Sequence, residues 1–106
     1  MAKGAKTDNC FVAEGCEIYG TVKHSIISTG CTVAAGAIVE DSVIMPNVVI
    51  EADAVIRHAI VSEDCHVGRG AFIGGAFGED EEKKISVVGK AKDIEANRII
   101  RPGEII

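Results

Sequence analysis

Isoleucine and valine recur along this chain at intervals of six, six and five residues, and this repeat limits the possible folds more than any other feature. Three blocks of 17 residues align without a gap, beginning at Ser25, Ser42 and Ala59. An earlier block, residues 10–24, joins the series after a two-residue deletion. The recurring positions are Val12, Ile18, Val22, Ile27, Val33, Val39, Ile44, Ile50, Ile56, Val61, Val67, Ile73, Val88, Ile94, Ile100 and Ile106. All 16 are Ile or Val, although these two types supply only 27 of the 106 residues, so chance does not explain the pattern.

A step of six residues does not fit an α-helix, because six residues rotate the chain by about 600° and scatter the side chains around the axis. The chain also has no Leu, a common core residue of helices, whereas Ile and Val favour strands. The step fits short strands joined by tight turns, three to a coil, with parallel sheets between stacked coils. The sequence therefore predicts an all-β fold, a single-stranded parallel β-helix of hexapeptide repeats. Its left-handed winding is implied by the known hexapeptide families and not by the period.

Two further positions repeat with the strands and predict the corners of each coil. Four residues after an Ile or Val, a small residue fits a corner that points inward; this position holds Cys16, Cys31, Ala37, Val48, Ala54, Cys65 and Ala71. The residue before it is one that tolerates positive φ: Gly15, Gly30, Gly36 and Gly70, with Asn47, Asp53 and Asp64 in equivalent places. Both patterns predict tight turns between the strands.

The repeat is interrupted once, which divides the single predicted domain, residues 1–106, into three parts. Regular coils span 10–76, a solvated loop spans 77–84, and terminal rungs span 85–106. The loop holds four consecutive acidic residues followed by two lysines. In the terminal rungs Lys92, Arg98 and Glu104 occupy the inward small positions, so these rungs are either distorted or form a cap whose corners face water.

Cysteine and histidine do not follow the spacing of a metal or disulfide site. Cys16, Cys31 and Cys65 are predicted to be reduced and buried, because they share the small inward corner position. No CxxC motif occurs, and the spacings are not those of a zinc ribbon. His24 and His58 share another column, but Asp41 lies between them and separates their backbones by about 9.6 Å, too far to ligate one ion. His66 lies on a different part of the coil. The sequence predicts no metal site and no catalytic residue.

Charge and hydropathy exclude two classes of partner. The net charge of −5 and the pI of about 5.1 argue against nucleic-acid binding. No apolar run reaches the length of a membrane span, and the first ten residues do not form a secretory signal, so a cytoplasmic location is expected. Basic residues cluster in the last third and form a candidate site for an effector anion: Arg69, Lys90, Lys92, Arg98 and Arg101.

The residue before each inward Ile or Val should point outward, because side chains alternate along a strand. One face then carries Phe11, Ile26, Val43 and Ile60, and a second carries Thr21, Ile38, Val55 and Phe72. The third carries Glu17, Thr32, Val49 and His66 and is mostly polar. A contiguous apolar ladder marks an interface, so Phe11, Ile26, Val43, Ile60, Ile38, Val55 and Phe72 are the interface candidates.

The run VAEGCEIYGTVKHSII, residues 12–27, resembles the first β-helix coil of the glucose-1-phosphate adenylyltransferase family. The coil is shortened near Tyr19 and Gly20, a deletion that a generic hexapeptide protein has no reason to share. The stretches VEDSVIMP (residues 39–46), ISVVGK and RPGEII are also similar to that family. The resemblance covers nearly the whole chain but only the C-terminal domain of the family.

That resemblance implies a chain that assembles or regulates an enzyme and has no active site of its own. The family joins ATP and glucose 1-phosphate to give ADP-glucose and pyrophosphate in an N-terminal domain that binds Mg²⁺ and ATP, and no Gly-rich phosphate loop occurs here. The chain is then expected to be part of a longer nucleotidyltransferase of glycogen biosynthesis. It would hold no cofactor, form homo- or hetero-oligomers through its faces, and contact the catalytic domain. The alternative is a free-standing hexapeptide acyltransferase or a γ-carbonic-anhydrase-like enzyme, with His66 or His58 facing a partner across a cleft of a trimer.

Overall fold

The computed structural model describes residues 6–8, 11–74, 85–100 and 104–106, and every regular element in these ranges is a strand of two or three residues. No helix long and apolar enough to cross a membrane occurs in them. The strands are β1 (Lys6–Asp8), β2 (Phe11–Val12), β3 (Glu17–Ile18), β4 (Thr21–Lys23), β5 (Ile26–Ile27), β6 (Thr32–Val33), β7 (Ile38–Glu40), β8 (Val43–Ile44), β9 (Val49–Ile50), β10 (Val55–Arg57), β11 (Ala59–Val61), β12 (His66–Val67), β13 (Phe72–Ile73), β14 (Ser86–Val88), β15 (Asp93–Ile94) and β16 (Ile99–Ile100).

Every third strand joins the same sheet, so three parallel sheets run along the axis. Sheet A has the order β1-β4-β7-β10-β13-β16, sheet B the order β2-β5-β8-β11-β14, and sheet C the order β3-β6-β9-β12-β15. A parallel bridge between Val87 and Ile105 adds one more rung to sheet B. The predicted fold, a left-handed parallel β-helix of hexapeptide repeats, is confirmed.

The periodic Ile and Val positions form the core, as the sequence predicts. Fourteen of the 16 are buried, and the small residues Cys31, Ala37 and Cys65 fill the corners between them. The first and last of the series, Val12 and Ile106, are only partly buried and pack against the same cluster.

The predicted turn residues adopt the left-handed conformation. All seven have φ between 60° and 81°, and in the terminal coils Ala91 and Asn97 continue the two columns with φ of 56° and 61°. A third column was not predicted as a left-handed corner: His24, Asp41 and His58 have φ of 47°, 48° and 47° between sheet A and sheet B. The β-helix thus turns through positive φ at all three corners.

The shortened first coil is also present, and it explains one glycine. Only Tyr19 and Gly20 join β3 to β4, whereas residues 34–37 join β6 to β7 in the next coil. A Cβ on Gly20 would lie 2.7 Å from the carbonyl oxygen of Ala34 and closer still to that of Ala37. Glycine is needed here because the two-residue connection lies against the backbone of the coil above.

The terminal rungs follow the second of the two predicted alternatives, a cap. Ile94 and Ile100 remain buried, while the side chains of Lys92 and Arg98 are exposed. Their backbones keep the regular register, since the carbonyl oxygens of Lys92 and Arg98 accept the N–H groups of His66 and Phe72 at 2.9 and 2.8 Å. The predicted loop, residues 77–84, lies outside the described residues.

Candidate functional site

Sheet B presents one uninterrupted apolar row to the outside. The backbone register pairs Phe11 with Ile26, Ile26 with Val43, and Val43 with Ile60, as predicted. The row continues beyond the predicted residues, because Ile60 pairs with Val87 and Val87 with Ile105. We call the six residues Phe11, Ile26, Val43, Ile60, Val87 and Ile105 the sheet B ladder.

The sheet B ladder is accessible along its length. Phe11 is 64% exposed, Ile26 49% and Ile105 75%, while Val43, Ile60 and Val87 are partly exposed. Two more large apolar residues, Met45 and Ile85, are exposed next to strands of the same sheet. A contiguous apolar surface of this kind is unusual on a monomeric protein and is typical of an interaction site.

The corresponding row on sheet A differs from the expectation at its centre. The register Ile38–Val55–Phe72 is as predicted, and Ile99 extends it. Val55, however, is only 8% exposed, although it was expected to be an accessible member of the row. It points outward between Ile38 and Phe72 on the adjacent rungs. Arg57, also outward on β10, is buried too and forms an ion pair with Glu40 at 2.9 Å between Nε and Oε1.

Sheet C is mostly polar on its outer face and carries a cluster that the sequence did not predict. The imidazole of His66 has Nε2 at 2.7 Å from Oε2 of Glu51 and Nδ1 at 3.1 Å from Oδ1 of Asp93. The hydrogen bonds to the two carboxylates raise the pKa of His66, and the bond to Glu51 has the larger effect. Both ring nitrogens are engaged, so His66 has no nitrogen available to act as a general base in this arrangement.

The other two histidines flank the carboxylate of Asp41 on successive coils. His24 Nδ1 lies 3.6 Å from Oδ1 of Asp41, and His58 Nε2 lies 3.8 Å from Oδ2. Both distances are longer than a hydrogen bond. Nowhere in the described ranges do three His, Cys, Asp or Glu side chains come close enough together to hold a metal ion.

The three cysteines that the structure describes are free thiols, and two of them are buried as predicted. Cys16 is only partly buried, which differs from the prediction. Each thiol is also a hydrogen-bond donor to the next coil: Cys16, Cys31 and Cys65 donate to the carbonyl oxygens of Ser28, Met45 and Gly89 at 2.9, 3.1 and 3.0 Å. The column therefore links coils as well as filling space.

The candidate anion-binding residues do not converge on one site. Lys90 and Lys92 lie at the corner before β15, while Arg69 and Arg98 lie at the corner between sheets C and A. Lys90 Nζ is 3.6 Å from Glu63 Oε1, and Arg69 is 3.9 Å from Asp53. Arg101 lies outside the described residues.

A shallow groove of about 280 Å³ lies at the corner between sheets B and C. It is lined by Met45, Pro46, Ser62, Glu63 and Lys90. The lining contains no His or Cys; its polar side chains are those of Ser62, Glu63 and Lys90, and the Lys90 ammonium lies 3.6 Å from the Glu63 carboxylate.

Comparisons with known proteins agree with this architecture. The family described as "GlmU-like, C-terminal hexapeptide" matches residues 2–92. Glucose-1-phosphate adenylyltransferases of Bacillus thuringiensis (strain Al Hakam) and Bacillus anthracis are 45% identical over 56 residues, which is 53% of this chain. The match spans 15% of the length of those relatives. Among solved structures, the CcmM N-terminal domain in complex with CcmN has a TM-score of 0.63 at 18% identity, covering 96% of this chain and 93% of that one, and it supports the fold alone.

Proposed function

This chain belongs to the GlmU-like, C-terminal hexapeptide family, and we propose that it is the subunit-association domain of a protein related to glucose-1-phosphate adenylyltransferase. The identity to those enzymes, 45% over 56 residues, supports this relation. In the proposal, the synthesis of ADP-glucose from ATP and glucose 1-phosphate, and its Mg²⁺ requirement, belong to a domain outside this chain. The proposal includes a cytoplasmic location, a role in glycogen biosynthesis and a part in allosteric regulation.

The observation that carries the proposal is the sheet B ladder. The ladder consists of six apolar side chains in one column, and three of them are about half exposed or more. Association through this face would bury apolar surface that is otherwise exposed to water. Each side chain of this size contributes about 1.5–3 kcal/mol when it is fully buried. The sheet A row is the weaker candidate, because Val55 at its centre is already buried. A β-helix of this fold takes a partner in at least one solved complex, that of the CcmM N-terminal domain with CcmN.

The enzymatic alternative has less support from the side-chain arrangement. An acyltransferase needs a histidine with a free ring nitrogen beside the substrate, and both nitrogens of His66 are bound to carboxylates. The ring of His58 lies near Asp41 at a corner, and neither His58 nor His66 lines the groove between sheets B and C. We therefore expect no acyl transfer and no ADP-glucose formation by this chain alone.

Analytical ultracentrifugation of two matched double variants tests the proposal. Ile26→Glu with Val43→Glu places two charges on the sheet B ladder, and Thr32→Glu with Val49→Glu places two charges at the paired outward positions of sheet C. Both pairs point outward from adjacent coils, so both variants should fold. The first should dissociate the oligomer, and the second should leave its mass unchanged.

A third variant separates the two apolar faces. Val55→Glu is unsuitable because Val55 is buried, so Ile38→Glu with Ile99→Glu tests sheet A instead. If only this variant dissociates the oligomer, the interface lies on sheet A and the assignment to sheet B is wrong. If none of the three changes the mass, or the unmodified chain is monomeric at every concentration, the association function itself is wrong.

A further inference from the structure

One side chain connects three consecutive coils at the point where the repeat resumes. His66 lies on β12, in the last coil before residues 75–84. Glu51 follows β9 in the coil below, and Asp93 begins β15 in the coil above. The backbone of His66 pairs with Val49 on one side and with Asp93 on the other. Its ring is hydrogen-bonded to both acidic side chains, at 2.7 and 3.1 Å.

The chemistry of imidazole gives this arrangement a definite protonation requirement. A neutral imidazole has one N–H donor and one acceptor nitrogen, and an ionised carboxylate only accepts hydrogen bonds. Both contacts of His66 are therefore hydrogen bonds only when the ring carries two protons. The cation then donates one bond to Glu51 and one to Asp93, and such charge-assisted bonds are stronger than neutral ones. In the neutral ring, one nitrogen lone pair faces a carboxylate oxygen.

We propose that His66 is a pH-sensitive clamp: as an imidazolium it fastens the coils of residues 85–106 onto the regular β-helix, and as a neutral ring it releases one of its two bonds. The clamp acts on the segment that begins at residue 85, directly after the one interruption of the repeat in the sequence. It needs no ligand and no partner, so it holds whether or not the chain associates.

The charges around the imidazole favour the cation. Glu51 and Asp93 face the ring directly, and no lysine or arginine shares these contacts in the described ranges. Lys92 and Glu95 flank the two residues of β15 and offset each other in sign. At the next corner Arg69 faces Asp53, so its charge is partly compensated.

The direction of the pH effect follows from the raised pKa of His66. A group whose pKa is higher in the folded state than in the unfolded state stabilises the fold below the unfolded value, which is about 6.5 for histidine. That stabilisation is lost as the pH rises through the folded value. The terminal coils should therefore be held most firmly at mildly acidic pH and loosen towards alkaline pH.

A second consequence rests on the proposed function. Val87 on β14 and Ile105 belong to the coils that His66 holds, and they are the last two members of the sheet B ladder. Loosening of these coils would remove them from the interface, so association would weaken at higher pH. Amide hydrogen exchange of the terminal coils reports on the clamp whether or not the chain associates.

Amide hydrogen exchange of the whole chain at pH 6.0 and pH 8.5, corrected for intrinsic exchange rates, tests the clamp. The amides of Ser86 and Asn97 report on the terminal coils, and those of Ile38 and Met45 report on the central coils; all four are hydrogen-bonded. We expect protection at Ser86 and Asn97 to fall severalfold from pH 6.0 to pH 8.5, because the pKa of His66 is raised in the folded chain. Protection at Ile38 and Met45 should change much less.

Substitutions identify the responsible histidine. His66→Gln should lower the protection of Ser86 and Asn97 at pH 6.0 and abolish its pH dependence. His24→Asn is the control, because it changes an exposed left-handed corner whose conformation Asn tolerates. This variant should keep the pH dependence of the protection at Ser86 and Asn97. Glu51→Gln should lower the pKa of His66, read from its ring proton shifts by NMR. The proposal is wrong if the wild-type protection is the same at both pH values, or if His66→Gln keeps the pH dependence.

Discussion

The hydroxyl of Ser25 accepts a hydrogen bond from the backbone N–H of Ser42, one coil above, at 3.1 Å. The same hydroxyl donates to the carbonyl oxygen of Lys23 at 2.7 Å. Ser42 repeats the arrangement, accepting from the N–H of Ala59 at 3.2 Å and donating to Glu40 at 2.7 Å. These buried hydroxyls pair the backbone amides that follow the left-handed corner, where the sheet ladder is interrupted.

Ser25→Ala should therefore destabilise the fold through the amide of Ser42. The substitution leaves a buried N–H without its acceptor, which costs about 1–3 kcal/mol. Urea unfolding followed by circular dichroism measures the loss. Ser62→Ala, at a partly exposed corner position, is the matched control and should change the stability by less than about 0.5 kcal/mol. Equal losses of stability for the two substitutions would show that the buried hydrogen bond from Ser42 to Ser25 does not stabilise the fold.

The column of cysteines predicts which substitutions position 31 tolerates. Val48 occupies the same inward corner one coil above, so Cys31→Val should fit and lose mainly the hydrogen bond to Met45, about 0.5–1.5 kcal/mol. Cys31→Arg should unfold the domain, because an unpaired charge in the core costs several kcal/mol or more. Thermal unfolding compares the two variants. A folded Cys31→Arg protein with wild-type stability would overturn the assigned register.

Thiol reactivity should differ along the same column. Burial raises the pKa of the Cys31 thiol, which suppresses the reactive thiolate, and both Cys31 and Cys65 are inaccessible to solvent. Cys16 is partly accessible. In a Cys10→Ser background, native-state labelling followed by mass spectrometry should modify Cys16 first and the other two only as the protein opens. Simultaneous labelling of all three would contradict the burial order.

Gly20, in the shortened coil, should be sensitive to substitution by any larger residue. Gly20→Ala places a Cβ against the carbonyl oxygens of Ala34 and Ala37, and we expect a loss of about 1–3 kcal/mol from overpacking. Gly15→Asn is the control, because its φ is positive, its Cβ would have 3.7 Å to the nearest atom, and Asn adopts this conformation at other corners. Chemical denaturation should give a clearly lower free energy of unfolding for Gly20→Ala than for Gly15→Asn.

The core and the corners could be predicted from the sequence because each depends on local geometry that the repeat imposes. A strict interval of Ile and Val fixes which side chains point inward, and the glycines with Asn47 and Asp64 mark where φ is positive. The same alternation predicted the outward rows of sheets A and B. The repeat therefore specifies the register between successive coils, and for this reason the strands and corners can be predicted from the sequence.

Contacts between side chains of different coils could not be predicted from the repeat. The contact of His66 with Glu51 depends on a side chain that reaches from a corner to a neighbouring strand, and no period specifies it. The burial of Val55 likewise depends on how its neighbours pack and not on its place in the repeat. The basic residues of the last third appeared clustered along the chain, but the triangular coil separates Lys90 from Arg69 at two corners.

Photo-crosslinking from the outer faces tests the central claim, that the sheet B ladder is the association surface, most directly. A benzophenone amino acid placed at Ile26 reports on sheet B, and the same group at Thr32, an outward position of the same coil, reports on sheet C. Under non-denaturing conditions, irradiation should link position 26 to a second subunit and leave position 32 almost unlinked. Crosslinks from position 32 and none from position 26 would contradict the account.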